Sequence, residues 1–282
     1  MSSYAWLIRG REIPIRWPLV MGIVNVTPDS FSDGGRFFDA SAAIDHAMRL
    51  VGDGADILDI GGESTRPGAE PVSLADELGR IVPIVAAIAK RVDVPISIDT
   101  MKSEVARAAL DVGASIVNDV TGLSDPAMRD LVAESRAGAV VMHMQGTPQT
   151  MQLAPTYPEG VVAAIDRFFE LRLHDCAMSG IAAEQVVLDP GVGFGKTGPQ
   201  CWELIARLGE FGRLNRPICL GVSRKGFIGK VTNRTPTDSL AGSLAVACHA
   251  LANRSVHILR VHDVAATRDA VKVIERIHDI ER

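Results

Sequence analysis

The segment Val186–Lys196, with the sequence VVLDPGVGFGK, leads from a short apolar run through Asp189 into a glycine-rich loop. A helical pattern follows, and this order of apolar run, polar residue, loop and helix recurs along the chain. The runs are nearly continuous in Val, Ile, Leu and Met, which is typical of parallel strands covered on both faces. Eight runs are predicted as strands: Val20–Asn25, Ile57–Gly61, Pro95–Asp99, Ser115–Asp119, Ala139–His143, Val186–Asp189, Ile218–Ser223 and Val256–Val261.

Stretches with helical spacing separate these strands. The apolar residues between Leu74 and Ile88 fall on one helical face, with Ser73 as a candidate N-cap. Asp238 and Asp263 are predicted to cap the last two helices. Eight strand–helix units in 282 residues fit a (β/α)8 TIM barrel of the α/β class. Strand counting leaves an open doubly wound sheet as the alternative.

Two further features concern the organisation of the chain. The segment Trp6–Trp17 is predicted to form a short N-terminal β-hairpin that turns at Arg9–Arg11. No tract rich in Pro, Gly and Ser divides the sequence, so residues 1–282 are predicted to form a single domain.

The composition limits the class of protein. Hydrophobic residues make up 47% of the chain, which excludes a disordered sequence. The formal net charge is −5 and no dense run of Lys or Arg occurs, so a nucleic-acid partner is not expected. No apolar run approaches the ~18 residues of a membrane span, and no secretory signal pattern opens the chain. Four cysteines without a C-x-x-C pair add to the expectation of a reduced, cytoplasmic protein with no membrane partner.

Polar residues end nearly every predicted strand. In a TIM barrel the carboxyl ends of the strands meet at one mouth, where active sites of this fold are built. A single Asp, Asn or Ser at such a position is more often a helix cap, but the whole set favours a binding site. Arg260 and His262 lie on the same side of an extended chain, which predicts that both reach one anion, such as a phosphorylated substrate. The strand-end residues are Asn25, Asp99, Asn118, Asp119, His143, Asp189, Ser223, Arg260 and His262.

The glycine-rich loop at residues 191–198 is similar to nucleotide-binding motifs. A P-loop requires Gly at the position of Pro190, so that motif fails by one residue. A G-x-G-x-x-G spacing begins at Gly193, but the acidic residue expected after it falls in a helical stretch. We therefore predict that the glycines let the backbone approach a flat ligand. Lys196 and Arg224 are predicted to be solvated surface charges.

These motifs taken together closely resemble the dihydropteroate synthases. The resemblance runs in order from about Leu19 to the final helix, so it covers nearly the whole chain and is highly specific. The matching motifs are MGIVNVTPDSFSDGG at 21–35, DIGGESTRPG at 59–68, SIDT at 97–100, ND at 118–119, MHMQG at 142–146, DPGVGFGK at 189–196, SRK at 223–225 and RVHD at 260–263.

The resemblance implies a reaction and a set of site residues. Such an enzyme joins 7,8-dihydropterin-6-ylmethyl diphosphate to 4-aminobenzoate, releases pyrophosphate and gives 7,8-dihydropteroate for folate biosynthesis. It also implies a sulfonamide target and a homodimer. The pterin is then held by Asp99, Asn118, Met142, Asp189, Gly193, Phe194 and Lys225. The diphosphate is held by Asn25, Thr65, Arg66, Arg260 and His262, and 4-aminobenzoate by Phe31, Ser32, Thr65, Pro67, Ser223 and Lys225.

The implied cofactor is Mg²⁺, with Asn25 as its protein ligand. The implied mechanism is dissociative: the C–O bond breaks first, and the arylamine then attacks the pterin-stabilised cation. Asp99, Lys225, Arg260 and His262 are the catalytic residues by this resemblance. One position departs from the pattern, because Gly226 stands where many family members have Ser.

Two alternative functions are weighed against this one. A methyltetrahydrofolate-dependent methyltransferase uses a similar pterin-binding barrel but needs no diphosphate site, so the Arg260/His262 pair and the loops of Phe31 and Arg66 argue against it. A non-catalytic pterin-binding paralogue is expected to have lost lid or cationic residues, and none is visibly lost in this sequence.

Overall fold

Eight parallel strands form a nearly closed barrel in the computed structural model of the protein, which describes residues 4–26 and 36–280. The barrel strands are β3 (Leu19–Asn25), β4 (Ile57–Gly61), β5 (Ile96–Asp99), β6 (Ile116–Asp119), β7 (Gly138–Met142), β8 (Val186–Asp189), β9 (Cys219–Leu220) and β10 (Ile258–Val261). They follow the order β8-β7-β6-β5-β4-β3-β10-β9. A parallel bridge between Leu188 and Ile218 joins the two ends of this series. The predicted barrel is therefore confirmed, and the open doubly wound sheet is excluded.

Helices connect successive strands, as the predicted alternation requires. The described helices are α1 (Arg36–Gly52), α2 (Leu74–Ala89), α3 (Ser103–Asp111), α4 (Pro126–Ser135), α5 (Val161–Met178), α6 (Gly198–Ala206), α7 (Gly226–Thr232), α8 (Leu240–Ala252) and α9 (Val264–Ile280). Short 3₁₀ segments occupy Ala183–Gln185, Leu208–Leu214 and Pro236–Asp238. None of these helices is long and apolar enough to cross a membrane.

Of the predicted helix caps, one is confirmed and one is wrong. The Ser73 hydroxyl accepts a hydrogen bond from the Asp76 amide at 3.1 Å and so caps α2. Asp238 instead ends a 3₁₀ turn, and Ser239 is the residue that precedes α8. Asp263 directly precedes α9, and its carboxylate binds the guanidinium of Arg224.

Side chains alternate between the inside and the outside of the barrel. In β4, Leu58 and Ile60 face outward and belong to the apolar core between strands and helices. Ile57 belongs to a second apolar core inside the barrel. Because successive strand residues point to opposite faces, Asp59 and Gly61 share the inward face with Ile57. This alternation fixes which strand residues line the interior.

The predicted N-terminal hairpin is confirmed and lies at the amino end of the barrel. Strands β1 (Tyr4–Ile8) and β2 (Arg11–Ile15) pair antiparallel with Ile8 opposite Arg11. Trp6 is fully buried within the inner core, and its indole N–H donates to the carbonyl of Gln185 at 2.8 Å. The hairpin thus plugs the end of the barrel opposite the strand-end residues.

Strand β9 is shorter than predicted. The sequence pattern predicts Ile218–Ser223, whereas only Cys219–Leu220 are paired as a strand. The Lys225 amide donates to the carbonyl of Val222 at 3.3 Å, and Arg224 adopts a positive φ of 59°. The chain therefore turns out of the sheet after Leu220, which aims the following residues across the barrel mouth.

Candidate active site

Inward-facing polar side chains from five strands form the floor of the barrel mouth. Gly61 of β4 is in register with Asp99 of β5, and Asp99 with Asn118 of β6. Asp189 and Arg260 lie close together, because a Cβ on Gly221 would be 3.9 Å from Asp189 Oδ2 and 4.0 Å from Arg260 Cδ. The predicted convergence of these residues at one site is therefore correct. The floor residues are Asp59, Asp99, Asn118, Asp189 and Arg260.

Arg260 connects two carboxylates of this floor. Its Nε donates to Asp59 Oδ2 and its Nη2 donates to Asp99 Oδ2, both at 2.6 Å. The Asn118 amide also donates to Asp59 Oδ2, at 3.1 Å. The second oxygens of Asp59 and Asp99 and the Ser97 hydroxyl are buried without a hydrogen-bond partner among the described residues. Unpaired buried acceptors are costly, so they mark where a bound ligand can donate hydrogen bonds.

Burial sets the protonation of the floor residues. It raises the pKa of Asp99 from 3.8 to about 7, although the Arg260 charge opposes this rise. Burial also raises the pKa of Asp189, whose Oδ1 accepts from the Gly191 amide at 2.7 Å. The pKa of Lys225 is lowered to about 8, chiefly by burial and then by Arg260. Three titratable groups with shifted pKa values in one cleft indicate a functional site.

Lys225 and the glycine-rich loop pack against each other beside the floor and together line one side of the mouth, called the slot. The Lys225 ammonium is 4.0 Å from the centroid of the Phe194 ring. A Cβ on Gly193 would lie 3.5 Å from Cδ of Lys225, so the loop backbone packs closely against this side chain. Met142, at the end of β7, pairs in register with Asp189. The residues predicted for a flat ligand are therefore brought together.

Ser223 and His262 lie at the rim of the same mouth. The Ser223 hydroxyl accepts from the His262 amide at 3.2 Å and lies 3.1 Å from Nδ1 of the same residue. Burial, followed by the charges of Arg224 and Arg260, lowers the pKa of His262 to about 4. His262 is thus neutral at pH 7. Of the two residues predicted as cations, Arg260 is therefore a guanidinium bound to carboxylates, and His262 is a neutral imidazole.

The loop between β4 and α2 carries Thr65, Arg66 and Pro67 at the rim. Thr65 is half-buried, whereas Arg66 and Pro67 are exposed. The loop is tied to the β7–α5 loop, because the Gly68 amide donates to the carbonyl of Pro148 at 3.0 Å. Asn25 ends β3 next to Gly61. The remaining predicted residues, Phe31 and Ser32, lie outside the described residues.

The structure corrects the prediction for Lys196 and Arg224. Lys196 is only 2% exposed, and its ammonium contacts Nδ1 of His143 at 2.9 Å. Arg224 is partly buried and binds the Asp263 carboxylate through two hydrogen bonds. Neither is a solvated surface charge, because each has fixed acceptors within the loops that follow the strands.

Two strand-end residues do not reach the floor. Asp119 accepts hydrogen bonds from the Thr121 and Leu123 amides and so orders the turn that follows β6. The His143 ring packs edge-on against Phe168 of α5, with the ring centroids 4.9 Å apart. Asp119 and His143 therefore have structural roles, as is usual for a single polar residue at a strand end.

The floor also contains Asp59, which the sequence-based prediction of site residues omits. Asp59 is fully buried and binds both Arg260 and Asn118. Strand-end positions do not identify it, because β4 ends at Gly61, which carries no side chain. The period of two in β4 places Asp59 on the same inward face and is the signal that identifies it.

Within residues 4–26 and 36–280, no group of three or more His, Cys, Asp or Glu side chains is arranged to hold a metal ion. A metal at Asn25 would therefore take most of its ligands from a substrate and from water. An amide oxygen is a suitable ligand for Mg²⁺, which commonly keeps several waters.

Comparisons with known proteins agree with this geometry. Residues 21–262 match the family model described as pterin binding enzyme. The chain is 48% identical over 267 residues to the dihydropteroate synthase of Escherichia coli K12, covering 95% of this chain and 94% of that protein. The structure of Xanthomonas albilineans dihydropteroate synthase with 4-aminobenzoic acid superposes with a TM-score of 0.91 at 43% identity, covering 98% and 99% of the two chains. A sulfonamide complex of the Yersinia pestis dihydropteroate synthase gives the same TM-score at 41% identity, with 98% and 99% coverage.

Proposed function

The chain belongs to the pterin-binding enzymes and, within them, to the dihydropteroate synthases, and from this premise we propose how its residues carry out the reaction. The substrates are a 7,8-dihydropterin-6-ylmethyl diphosphate and 4-aminobenzoate, and the products are 7,8-dihydropteroate and pyrophosphate. The relatives support this transferase reaction rather than the methyltransferase or non-catalytic alternatives.

The observation that carries the assignment of the pterin site is the polar floor. A pterin edge presents alternating donors and acceptors, and the floor offers two carboxylates with unpaired oxygens together with amide and ammonium donors. Asp99, Asn118, Asp189 and Lys225 hold this edge in our proposal. Met142, Gly193 and Phe194 contact the flat faces of the ring.

The chemical step separates charge at the mouth. The C–O bond breaks, its electron pair leaves with the diphosphate, and a cation remains on the methylene carbon of the pterin. The amine nitrogen of 4-aminobenzoate then forms a bond to this carbon and loses a proton. Ionised Asp99 stabilises the cation electrostatically, and Arg260 favours that ionised form by opposing the rise in the Asp99 pKa.

The diphosphate lies on the cationic side of the mouth in this proposal. Arg260 binds carboxylates through Nε and Nη2, which leaves Nη1 to donate to a phosphate oxygen. His262 contributes a neutral N–H donor rather than a charge, because burial lowers its pKa to about 4. Asn25, Thr65 and Arg66 complete the diphosphate site.

We propose Mg²⁺ as the cofactor, held by Asn25 and by diphosphate oxygens. When bound, such an ion neutralises charge on the leaving group. For 4-aminobenzoate we propose Thr65, Pro67, Ser223 and Lys225, together with Phe31 and Ser32 from the segment outside the described residues.

We also propose a homodimer in the cytoplasm. Helix α9 exposes Val273, Ile277 and Ile280 at helical spacing, and an exposed apolar stripe of this kind fits burial against a second copy of the chain. Sedimentation velocity measures the oligomeric state. The described cysteines are unpaired, which suits a reducing compartment.

Pyrophosphate release tests the function directly. The purified protein should release pyrophosphate from the pterin diphosphate in the presence of 4-aminobenzoate, with dihydropteroate formed in equal amount. The same assay tests the roles of two floor residues, since Asp99→Ala and Lys225→Ala should each lower kcat/KM by about 10²-fold or more. Circular dichroism should show that both variants remain folded. Near-wild-type turnover in both would contradict the proposed roles.

A further inference from the structure

The glycine-rich loop that forms one wall of the slot is held at consecutive carbonyl groups. The carbonyl of Gly193 accepts a hydrogen bond from Nε2 of Gln152 at 2.8 Å. The next carbonyl, of Phe194, accepts from the Lys196 ammonium at 2.8 Å. The carbonyl of Gly195 accepts from the Tyr157 hydroxyl at 2.7 Å. The loop conformation is thus imposed by side chains rather than by a helix or a strand.

Glycines make this conformation possible. Gly191, Gly193 and Gly195 have φ values of 62°, 91° and 65°, a region that residues with a Cβ rarely adopt. A Cβ on Gly191 would lie 2.0 Å from the carbonyl oxygen of His143, so the loop and the end of β7 are in direct contact. Such a loop has little intrinsic preference for one conformation, and it therefore depends on the groups that bind its carbonyls.

Lys196 is central to this arrangement, and all three hydrogens of its ammonium have acceptors. They are Nδ1 of His143 at 2.9 Å, the His143 carbonyl at 3.1 Å and the Phe194 carbonyl at 2.8 Å. Burial, followed by the charge of Lys196, lowers the pKa of His143 to about 2, so its imidazole is neutral and can accept. Lys196 therefore links the glycine-rich loop to His143, which directly follows β7.

The arrangement of these donors also accounts for the nucleotide-like sequence. A phosphate-binding lysine must present its ammonium to the ligand, but the Lys196 ammonium is buried and occupied by three protein acceptors. The side chain that faces the slot is instead Lys225, which lies 4.0 Å from the Phe194 ring centroid. The lysine of the Gly-Phe-Gly-Lys sequence is thus not available to bind a phosphate.

We propose that Lys196 is a positioning residue for the pterin: it fixes the Phe194 backbone against the end of β7 and thereby sets the position of Phe194 and Gly193 relative to Lys225. This inference rests on the proposed function, because the ligand of the slot is the pterin. It differs from a general structural role, since loss of Lys196 affects pterin affinity more than affinity for the second substrate.

The test compares Lys196→Met with a matched core variant. Methionine is unbranched and one heavy atom shorter than lysine, and it removes the three donors. Ile88→Ala removes buried volume in α2, behind β4 and away from the slot, and serves as the control for lost stability alone. Thermal unfolding, calorimetric binding of the pterin diphosphate and steady-state kinetics are measured for each variant below its Tm. Tyr157→Phe, which removes only the donor to Gly195, is the milder second variant.

We expect Lys196→Met to raise the Kd and KM for the pterin diphosphate at least tenfold, with less than a threefold change in the KM for 4-aminobenzoate. Tyr157→Phe should raise the pterin Kd two- to fivefold, and Ile88→Ala should lower Tm without changing Kd. If Lys196→Met does not fold, an unchanged pterin Kd in Tyr157→Phe overturns the proposal. A folded Lys196→Met variant with the wild-type Kd overturns it as well. Failure of the wild-type protein to bind the pterin would instead count against the proposed function.

Discussion

At the scale of single residues, the site depends on ionisable groups whose pKa values burial has moved towards neutral pH. Asp99 shares Arg260 with Asp59, and Lys225 lies near the same guanidinium. Burial makes each charged form less stable than in water, so small changes in pH alter which groups are ionised. This property can be measured in the kinetics.

We predict a bell-shaped pH dependence of kcat/KM for the pterin diphosphate. The pKa of Asp99 is about 7 and that of Lys225 about 8, so activity should rise as Asp99 loses its proton and fall as Lys225 loses its own. The two apparent values belong to a coupled system. Lys225→Arg should abolish the alkaline limb, because a guanidinium stays protonated. A flat profile between pH 6 and 9 would contradict this assignment.

A second prediction at this scale concerns Gly226, the first residue of α7. A Cβ there would meet no atom within 4 Å, and no positive φ requires glycine. Gly226→Ser should therefore be tolerated, and its hydroxyl adds a donor for the 4-aminobenzoate carboxylate. A single hydrogen bond to a charged group contributes about 1.5–3 kcal/mol, so KM for 4-aminobenzoate should fall at least tenfold with kcat unchanged. Gly212→Ser, at another open position, is the control and should leave KM as it is.

At the scale of elements, an ion-pair network fixes the loop that carries Thr65, Arg66 and Pro67. The Lys102 ammonium lies 2.6 Å from both Glu63 and Glu77. Glu63 also accepts from the Val72 amide at 2.9 Å, which closes the loop between β4 and α2. The network ties this loop to the residues that follow β5, and so to the strand that carries Asp99.

We predict that Lys102→Met destabilises the fold and loosens this loop. The variant leaves two carboxylates without their cation, and Glu77 is fully buried. Breaking a buried ion pair in this way costs roughly 3 kcal/mol, to be measured by urea denaturation. Hydrogen exchange of the Val72 amide should accelerate. Arg107→Met removes the exposed pair with Glu134 and should change neither quantity, because such surface pairs contribute little.

At the scale of the whole molecule, residues that stabilise the fold lie at one end of the barrel, and residues of the candidate active site lie at the other end. The hairpin and the inner apolar core occupy the amino ends of the strands, whereas the polar floor lies at the carboxyl ends. A change at the closed end should therefore lower stability without altering the chemistry at the mouth.

Trp6→Ala tests this separation. Removing a fully buried Trp side chain should destabilise the protein by about 3–5 kcal/mol, measured by denaturant unfolding, while kcat/KM well below Tm stays within a factor of two. Leu7→Ala, on the half-buried opposite face of β1, should cost less. A large loss of kcat/KM in folded Trp6→Ala would show that the two ends are coupled.

The sequence by itself determined the strand–helix alternation, the hairpin and most of the floor, because burial on both faces and the polar strand ends leave local patterns. Closure of the barrel was decided by the structure, since strand counting also allows an open sheet. It also carried the family resemblance, residue by residue. Only the tertiary structure decided which charges are free. The sequence pattern predicts a solvated surface cation at Lys196, but the structure brings the His143 and Phe194 carbonyls around it. The pattern also predicts an anion-binding cation at Arg260 and does not show that Asp59 and Asp99 already bind two of its nitrogens. The reason is physical: whether a charge is solvated or paired depends on groups that are distant in the chain and meet only when the barrel closes.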